Sequence, residues 1–269
     1  MMLNLQAKGS FSFSQNPFQK GTFMFRSTKR SVTLAAVALL ALTGCTTSSD
    51  SASAENCPDA PLKSAVLPDV TSSSFTGQIG DEYESAIARV ASRTAACSGD
   101  LWVATFGDSS GQTVTLLEQS FQVEAPTENA QRRKREKLAE EATAAVRDRF
   151  AEAAANTSAS ATDILGLLRL AAENKAQHPD AAHELLVLTD GFTNVGVDPA
   201  AAASTEAAIA LADQVAVPDL SGMKLTFAGI GRTTSTVPSS VIEKVTAFWE
   251  RVCERTNADS CTVVTKWQG

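Results

Sequence analysis

The fold of this chain is decided by a continuous apolar stretch that ends in an aspartate, ELLVLTDG at Glu184–Gly191. An apolar run without polar alternation is typical of a strand in the middle of a parallel sheet with both faces covered. Asp190 stands where this strand ends. Because the carboxyl ends of the strands line the binding crevice of an open α/β sheet, Asp190 is a candidate functional residue.

A second stretch, 121 positions earlier, is also an apolar run followed by an aspartate. The short apolar run Ala65–Leu67 is followed by DVTSSS at Asp69–Ser74, which places an aspartate among hydroxyl side chains. Carboxylate and hydroxyl oxygens without histidine or cysteine are hard ligands, which suit Mg²⁺ or Mn²⁺ better than zinc. The two stretches together predict one metal site at the carboxyl edge of the sheet.

This pattern resembles the von Willebrand factor A (vWA) domain and its metal-ion-dependent adhesion site. The first motif of that family, Asp-x-Ser-x-Ser, reads Asp69-x-Thr71-x-Ser73 here, with threonine in place of the first serine. Thr162, at the start of a helix, fits the family's lone threonine. Asp190, followed by glycine, fits the aspartate that closes its fourth strand. The resemblance extends from about residue 64 to the C-terminus.

The resemblance implies two different roles for the residues of the metal site. The hydroxyls of Thr71, Ser73 and Thr162 would ligate the ion directly, and Asp69 and Asp190 would supply charge, mainly through water. Such an ion stays electrophilic and takes a carboxylate from an aspartate or glutamate of a partner. The family uses the site to bind proteins, so we expect a binding protein rather than an enzyme.

Apolar runs alternate with helical segments along the rest of the chain. The third strand follows the second after a short polar turn, which predicts an antiparallel hairpin. The order predicts an α/β, Rossmann-like vWA fold, with a central, mostly parallel sheet, one antiparallel edge strand and helices on both faces. The expected strands are 64–70, 101–106, 113–121, 184–189, 224–230 and 262–267, and the expected helices are 82–96, 128–155, 162–174, 199–215 and 239–256.

The N-terminal region is typical of an export signal. Three basic residues, Arg26, Lys29 and Arg30, precede the apolar run Val32–Leu42, which is too short to span a bilayer as a stable helix. The run ends in LTGC, which resembles the bacterial lipobox, and this resemblance implies that Cys45 is lipidated. We therefore expect residues 1–44 to be a lipoprotein signal peptide, with translation starting at Met24 rather than at the first residue.

Cleavage before Cys45 would leave 18 basic and 30 acidic residues, a net charge of −12. This charge excludes nucleic acid as an expected partner. Residues 45–60, rich in serine, threonine and alanine, are expected to be a lipidated, flexible tether, and residues 61–269 a single vWA-like domain. The expected location is the cell membrane, lipid-anchored on its extracytoplasmic face.

Four further cysteines favour structural disulfides, since an exported chain permits them and no Cys-x-x-Cys motif is present. Sequence alone allows three connectivities. The expected positions of the elements favour Cys57–Cys97 and Cys253–Cys261 as the local pairs, at the end of the sheet opposite the metal site.

Two alternatives to metal-dependent adhesion remain open on sequence grounds. The first is a metal-assisted hydrolase in the same crevice, although Thr71 stands where the Asp-x-Asp phosphoryl-transfer pattern needs a second aspartate. The second is a vWA scaffold without metal, recognised through the basic run Arg132–Lys137 of a long helix. The two histidines, His178 and His183, are expected on the loop before the fourth strand, away from the site.

Overall fold

The computed structural model describes residues 57–71, 78–106, 113–156 and 161–268. The leader, Cys45 and the predicted ligand Ser73 lie outside these residues. The strands are β1 (Leu62–Pro68), β2 (Asp100–Thr105), β3 (Val114–Ser120), β4 (Ala182–Leu188), β5 (Met223–Ala228) and β6 (Ser260–Val264). The helices are α1 (Gln78–Ala96), α2 (Glu128–Asn156), α3 (Ile164–Gln177), α4 (Thr205–Gln214) and α5 (Ser239–Arg255).

The six strands form one sheet in the order β3-β2-β1-β4-β5-β6. β3 pairs antiparallel with β2, and every other pairing is parallel. The predicted fold class is therefore confirmed: a mixed α/β, Rossmann-like arrangement with one antiparallel edge strand. β4 is apolar from Leu185 to Leu188, where it is paired on both sides and covered on both faces.

The helices cover the two faces of the sheet unequally. Helices α1 and α2 pack on one face, where Tyr83, Phe121 and Phe150 are buried. Helices α3, α4 and α5 pack on the other, around Phe227 and Trp249, whose ring centroids lie 4.9 Å apart. On the α1 face, the outward-facing residues of β5 and β6 are mostly polar and exposed, as at Lys224 and Thr262.

The largest difference from the expected boundaries is at α4, which begins at Thr205 rather than at Pro199. The Ser204 hydroxyl accepts a hydrogen bond from the backbone N–H of Ala207 at 3.2 Å, and so caps the helix there. The carbonyls of Ala200 and Ala202 accept from Lys244 Nζ, at 2.6 and 2.7 Å. The residues before Ser204 therefore form a turn.

Two smaller corrections concern strand positions. β6 spans Ser260–Val264, about two residues earlier than expected, because it pairs with β5 from Lys224 to Ala228. His183 lies within β4 rather than on the loop before it. Its Nε2 is 2.9 Å from the carbonyl oxygen of His178, and burial lowers the pKa of its ring.

Both predicted disulfides are confirmed. Cys57 is bonded to Cys97, so the segment before β1 is tied to the end of α1. Cys253 is bonded to Cys261, which ties α5 to β6. Neither bond lies at the carboxyl edge of the sheet.

Candidate metal centre

The two predicted aspartates lie side by side at the point where the strand order reverses. From β1 the chain continues through α1 to β2, which pairs with β1 on the side away from β4. From β4 it continues through α4 to β5, which pairs with β4 on the side away from β1. The crevice at such a switch point is the usual ligand site of an open α/β sheet. The backbone N–H of Asp69 donates to the carbonyl of Leu188 at 2.7 Å, which holds the two strand ends together.

Asp69 is completely buried and is a local hydrogen-bond acceptor. Its Oδ1 accepts from the backbone N–H of Thr71 at 2.9 Å and from the Thr71 hydroxyl at 2.7 Å. Its Oδ2 accepts from the Thr189 hydroxyl at 2.9 Å. The hydroxyls of Thr71 and Thr189 therefore both give their protons to this carboxylate.

Thr189 joins the two predicted motifs. Its hydroxyl oxygen donates to Asp69 and also accepts from the backbone N–H of Gly191 at 3.1 Å. One side chain therefore fixes the position of Asp69 relative to the loop that carries Asp190. Sequence reasoning did not single out Thr189, although it lies inside the quoted stretch.

Asp190 is also completely buried, in a loop with a fixed conformation. Its Oδ1 accepts from the backbone N–H of Phe192 at 3.0 Å, and its carbonyl accepts from that of Gly231 at 2.9 Å. Gly191 has φ +83°, and a Cβ there would lie 2.7 Å from Ile230 Cδ1. The glycine after the aspartate is thus required by both backbone conformation and space.

Thr162 is held against the same loop by its backbone. Its N–H donates to Asn194 Oδ1 at 2.8 Å, and its carbonyl accepts from the Thr193 hydroxyl at 2.7 Å. Asn194 therefore braces this segment against the loop that carries Asp190. Asp163 caps α3, since its Oδ1 accepts from the Gly166 N–H at 2.8 Å.

The carboxyl edge of the sheet, where Asp69 and Asp190 lie, is called the acidic edge below. It acts on a buried phenol that sequence reasoning missed. Tyr83, on α1, is 4% exposed. Burial, with smaller contributions from the negative charges of Asp69 and Asp190, raises the pKa of Tyr83 well above its ordinary value. A tyrosine in the middle of an apolar helix face carries no sequence signal of this kind, because the two aspartates reach it only through the fold.

The donor set at this edge fits a hard divalent cation. Two fully buried carboxylates lie at adjacent strand ends, with the Thr71 hydroxyl beside one of them. Buried negative charges need hydrogen bonds or a cation to offset the loss of hydration. The described residues contain no cluster of three or more histidine, cysteine, aspartate or glutamate side chains able to hold a metal. An ion here would thus depend on hydroxyls and water as well as on the two carboxylates.

No protein-family model matches the sequence, and no curated protein is similar to it. Among solved structures, the chain is similar to a conserved hypothetical protein, BatB, from Bacteroides thetaiotaomicron. The likeness has a TM-score of 0.41 and 11% identity, and it covers 76% of this chain and 90% of that one. The structure itself defines the class: an open, mostly parallel α/β sheet with two buried aspartates at its switch point.

Proposed function

We propose that this domain binds a divalent metal ion, Mg²⁺ or Mn²⁺, and uses it to capture a protein or cell-envelope partner that presents a carboxylate. The observation that carries the proposal is the hydrogen-bonded bridge from Asp69 through Thr189 to the loop of Asp190. It brings two buried carboxylates from motifs 121 positions apart to one crevice.

The ligands proposed for the ion are Thr71, Ser73 and Thr162, with Asp69 and Asp190 supplying charge. Three hydroxyls and few direct carboxylates would leave the ion electron-poor, so that it favours one more anionic oxygen. A partner's aspartate or glutamate supplies such an oxygen. The chain's two histidines, His178 and His183, lie at the other end of the sheet, and we propose adhesion without turnover.

The proposed location is the extracytoplasmic face of a membrane, with Cys45 lipidated and the segment from Cys45 to Cys57 as the tether; the bond of Cys57 to Cys97 shortens the tether expected from the sequence. In the part of the chain that the structure describes, no helix is both long and apolar enough to cross a bilayer. We propose attachment through the leader and its cysteine because LTGC at Leu42–Cys45 resembles the bacterial lipobox. Mass spectrometry of the membrane-extracted protein tests this directly, because a diacylglycerol on Cys45 has a defined mass and Cys45→Ser removes it.

Calorimetric titration of the purified chain with Mg²⁺ and Mn²⁺ tests the metal site. We expect saturable binding that is lost in Asp69→Asn and in Asp190→Asn, which keep the size of the side chain and remove its charge. Asp100→Asn is the matched control, because Asp100 lies at the start of β2 at the opposite end of the sheet and pairs with Lys63. Equal affinity in the parent and both site variants would contradict the proposal.

Partner capture separates the proposal from its alternatives. Capture that needs metal and is blocked by chelation supports adhesion, whereas phosphatase activity that disappears in Asp69→Asn would support a hydrolase. Capture that survives chelation but is lost when Arg132–Lys137 is neutralised would support a scaffold recognised through α2. In that run Lys137 pairs with Glu141 at 3.4 Å, and most of the side chains are exposed.

A further inference from the structure

A cavity of about 500 Å³ lies beside the metal centre, on the face of the sheet that α1 covers. We call it the α1/β6 cavity, since it lies between α1 and the segment that follows β6. Its floor is apolar and includes Leu188 at the end of β4 and Ala228 at the end of β5. Its size is in the range of small-molecule sites, which are mostly apolar with a few placed polar groups.

The mouth of the α1/β6 cavity is cationic. Arg89, Arg232 and Lys266 line it together with one carboxylate, Glu82. The Arg232 guanidinium pairs with both carboxylate oxygens of Glu82, and Lys266 Nζ lies 4.0 Å from one of them. Two positive charges therefore remain in excess among the residues that line the cavity, in a chain whose net charge is −7. A local excess of this sign favours an anionic ligand.

One of these cations is positioned by an aromatic side chain. The guanidinium of Arg89 lies 5.1 Å from the centroid of the Trp267 ring. It donates to the carbonyls of Trp267 and Gln268, both at 3.3 Å. These two long hydrogen bonds use part of its five N–H donors, and the rest are available to a carboxylate. Trp267 also lines the cavity and offers an apolar surface beside the charge.

A buried hydrogen-bond donor lies beside the cavity. The hydroxyl of Tyr83 has no hydrogen-bond partner among the described residues, although Tyr83 is 4% exposed. A buried polar group of this kind is costly unless something accepts its hydrogen bond. Tyr83 and Gly229 both line the cavity, and a Cβ on Gly229 would lie 3.5 Å from the Tyr83 hydroxyl oxygen. The glycine therefore keeps open the space next to the donor.

We propose that the α1/β6 cavity binds an organic carboxylate with an apolar body and an internal carbonyl, as in an N-acylated apolar amino acid. Arg89 and Lys266 bind the carboxylate, the apolar body lies on Leu188, Ala228 and Trp267, and the Tyr83 hydroxyl donates to the carbonyl. A free acyl amino acid and the C-terminus of a peptide share this chemistry. None of the described residues proposed as metal ligands lines the cavity, so the ligand does not bind through the metal.

The test is a calorimetric titration of the full chain with N-acetylphenylalanine and with its amide. We expect saturable binding of the acid and about tenfold weaker binding of the amide, which lacks the charge that strengthens the hydrogen bonds to Arg89. Arg89→Gln and Tyr83→Phe each weaken binding of the acid. Lys224→Gln is the matched control, since Lys224 is an exposed cation on the same sheet face outside the cavity, and it leaves the affinity unchanged.

A second readout places the ligand in the cavity. Ligand binding changes the tryptophan fluorescence of the parent, and Trp267→Phe removes that change while Trp102 and Trp249 remain. An acetylated peptide ending in phenylalanine that binds more tightly than N-acetylphenylalanine assigns the site to a peptide terminus, and equal affinities assign it to the free acid. Equal binding of acid and amide, unchanged affinity in Arg89→Gln, or loss of binding on chelation would each overturn the proposal.

Discussion

The hydroxyl of Thr189 connects the two aspartate-bearing segments of the candidate site. It donates to one aspartate and accepts from the backbone beside the other, so that two segments far apart in sequence share one hydrogen-bonded atom. Buried networks of this kind are strong when every member is satisfied and costly when one is removed. The metal centre and the folded core therefore depend on the same atom.

Thr189→Val removes this hydroxyl while keeping the branched shape of the side chain. We expect the free energy of unfolding to fall by about 1–3 kcal/mol, because Asp69 loses a buried donor and the Gly191 N–H loses its acceptor. We also expect weaker Mg²⁺ binding. Denaturant unfolding and calorimetry measure the two effects, and Thr189→Ser, which restores the hydroxyl, should recover most of both. Full Mg²⁺ affinity in the valine variant would contradict the bridging role.

Tyr83 provides an internal reporter of charge at the acidic edge. It is the chain's one tyrosine, so the ultraviolet absorbance of phenolate follows this side chain alone. Because its pKa is raised in the folded state, the unfolded chain loses the phenolic proton at lower pH than the folded chain does. The stability from Tyr83 is complete below the ordinary phenol pKa and is lost as pH rises through the folded-state pKa. Unfolding measured across this range should show that loss, and Tyr83→Phe should not.

Bound metal should lower the pKa of Tyr83 towards its ordinary value, because a cation offsets the negative charge of Asp69 and Asp190. Absorbance titrations with and without Mg²⁺ measure this shift. A Tyr83 titration that is the same in both conditions would argue against an ion beside the aspartates. The same comparison in Asp190→Asn is the control, since that variant is not expected to hold the ion.

The two disulfides bridge very different lengths of chain. Cys57 and Cys97 are 40 positions apart and enclose β1 and α1, whereas Cys253 and Cys261 are 8 apart. If a disulfide stabilises mainly by restricting the unfolded chain, the longer loop contributes more. The two bonds thus give an internal comparison within one fold.

Replacing both cysteines of one pair by serine should therefore have unequal effects. By the chain-entropy relation, we expect losses of roughly 4 kcal/mol for the Cys57–Cys97 pair and roughly 2.5 kcal/mol for the Cys253–Cys261 pair. Equilibrium unfolding in denaturant measures both under the same conditions. A larger loss for the shorter loop would show that packing around α5 and β6, rather than chain entropy, sets the contribution.

At the scale of the whole molecule, metal binding and folding are linked through the same aspartates. Without metal, Asp190→Asn should raise the free energy of unfolding, because it removes one of two buried negative charges and keeps an oxygen able to accept from Phe192. With saturating Mg²⁺ the order should reverse, since only the parent gains binding energy, about 2.7 kcal/mol at a hundredfold excess over Kd. Thermal unfolding of both proteins in chelator and in Mg²⁺ measures this crossover. Parallel shifts in the two proteins would contradict it.

The sheet could be predicted from the sequence because its strands are apolar runs that end at turns, and β4 is the clearest of them. Both aspartates could be placed at the carboxyl edge for the same reason. The start of α4 could not be predicted, because it depends on Lys244 of a later helix. Lys244 binds the carbonyls of Ala200 and Ala202, which would otherwise begin the first turn. Tyr83 and the bridging role of Thr189 depend on tertiary contacts with residues many positions away. The metal ligands remain predictions, and Ser73 lies outside the described residues.

The bond between Cys253 and Cys261 has a consequence for the exposed edge of the sheet. β6 is an edge strand, paired only with β5 in the described part of the chain, and Cys261 stands opposite Leu225. A slip of one residue along β5 would turn Cys261 to the other face, where it could not stay bonded to α5. The disulfide therefore fixes the register of the strand. It also prevents β6 from leaving its own sheet to join that of another copy, which is the exchange of an edge strand seen in domain swapping.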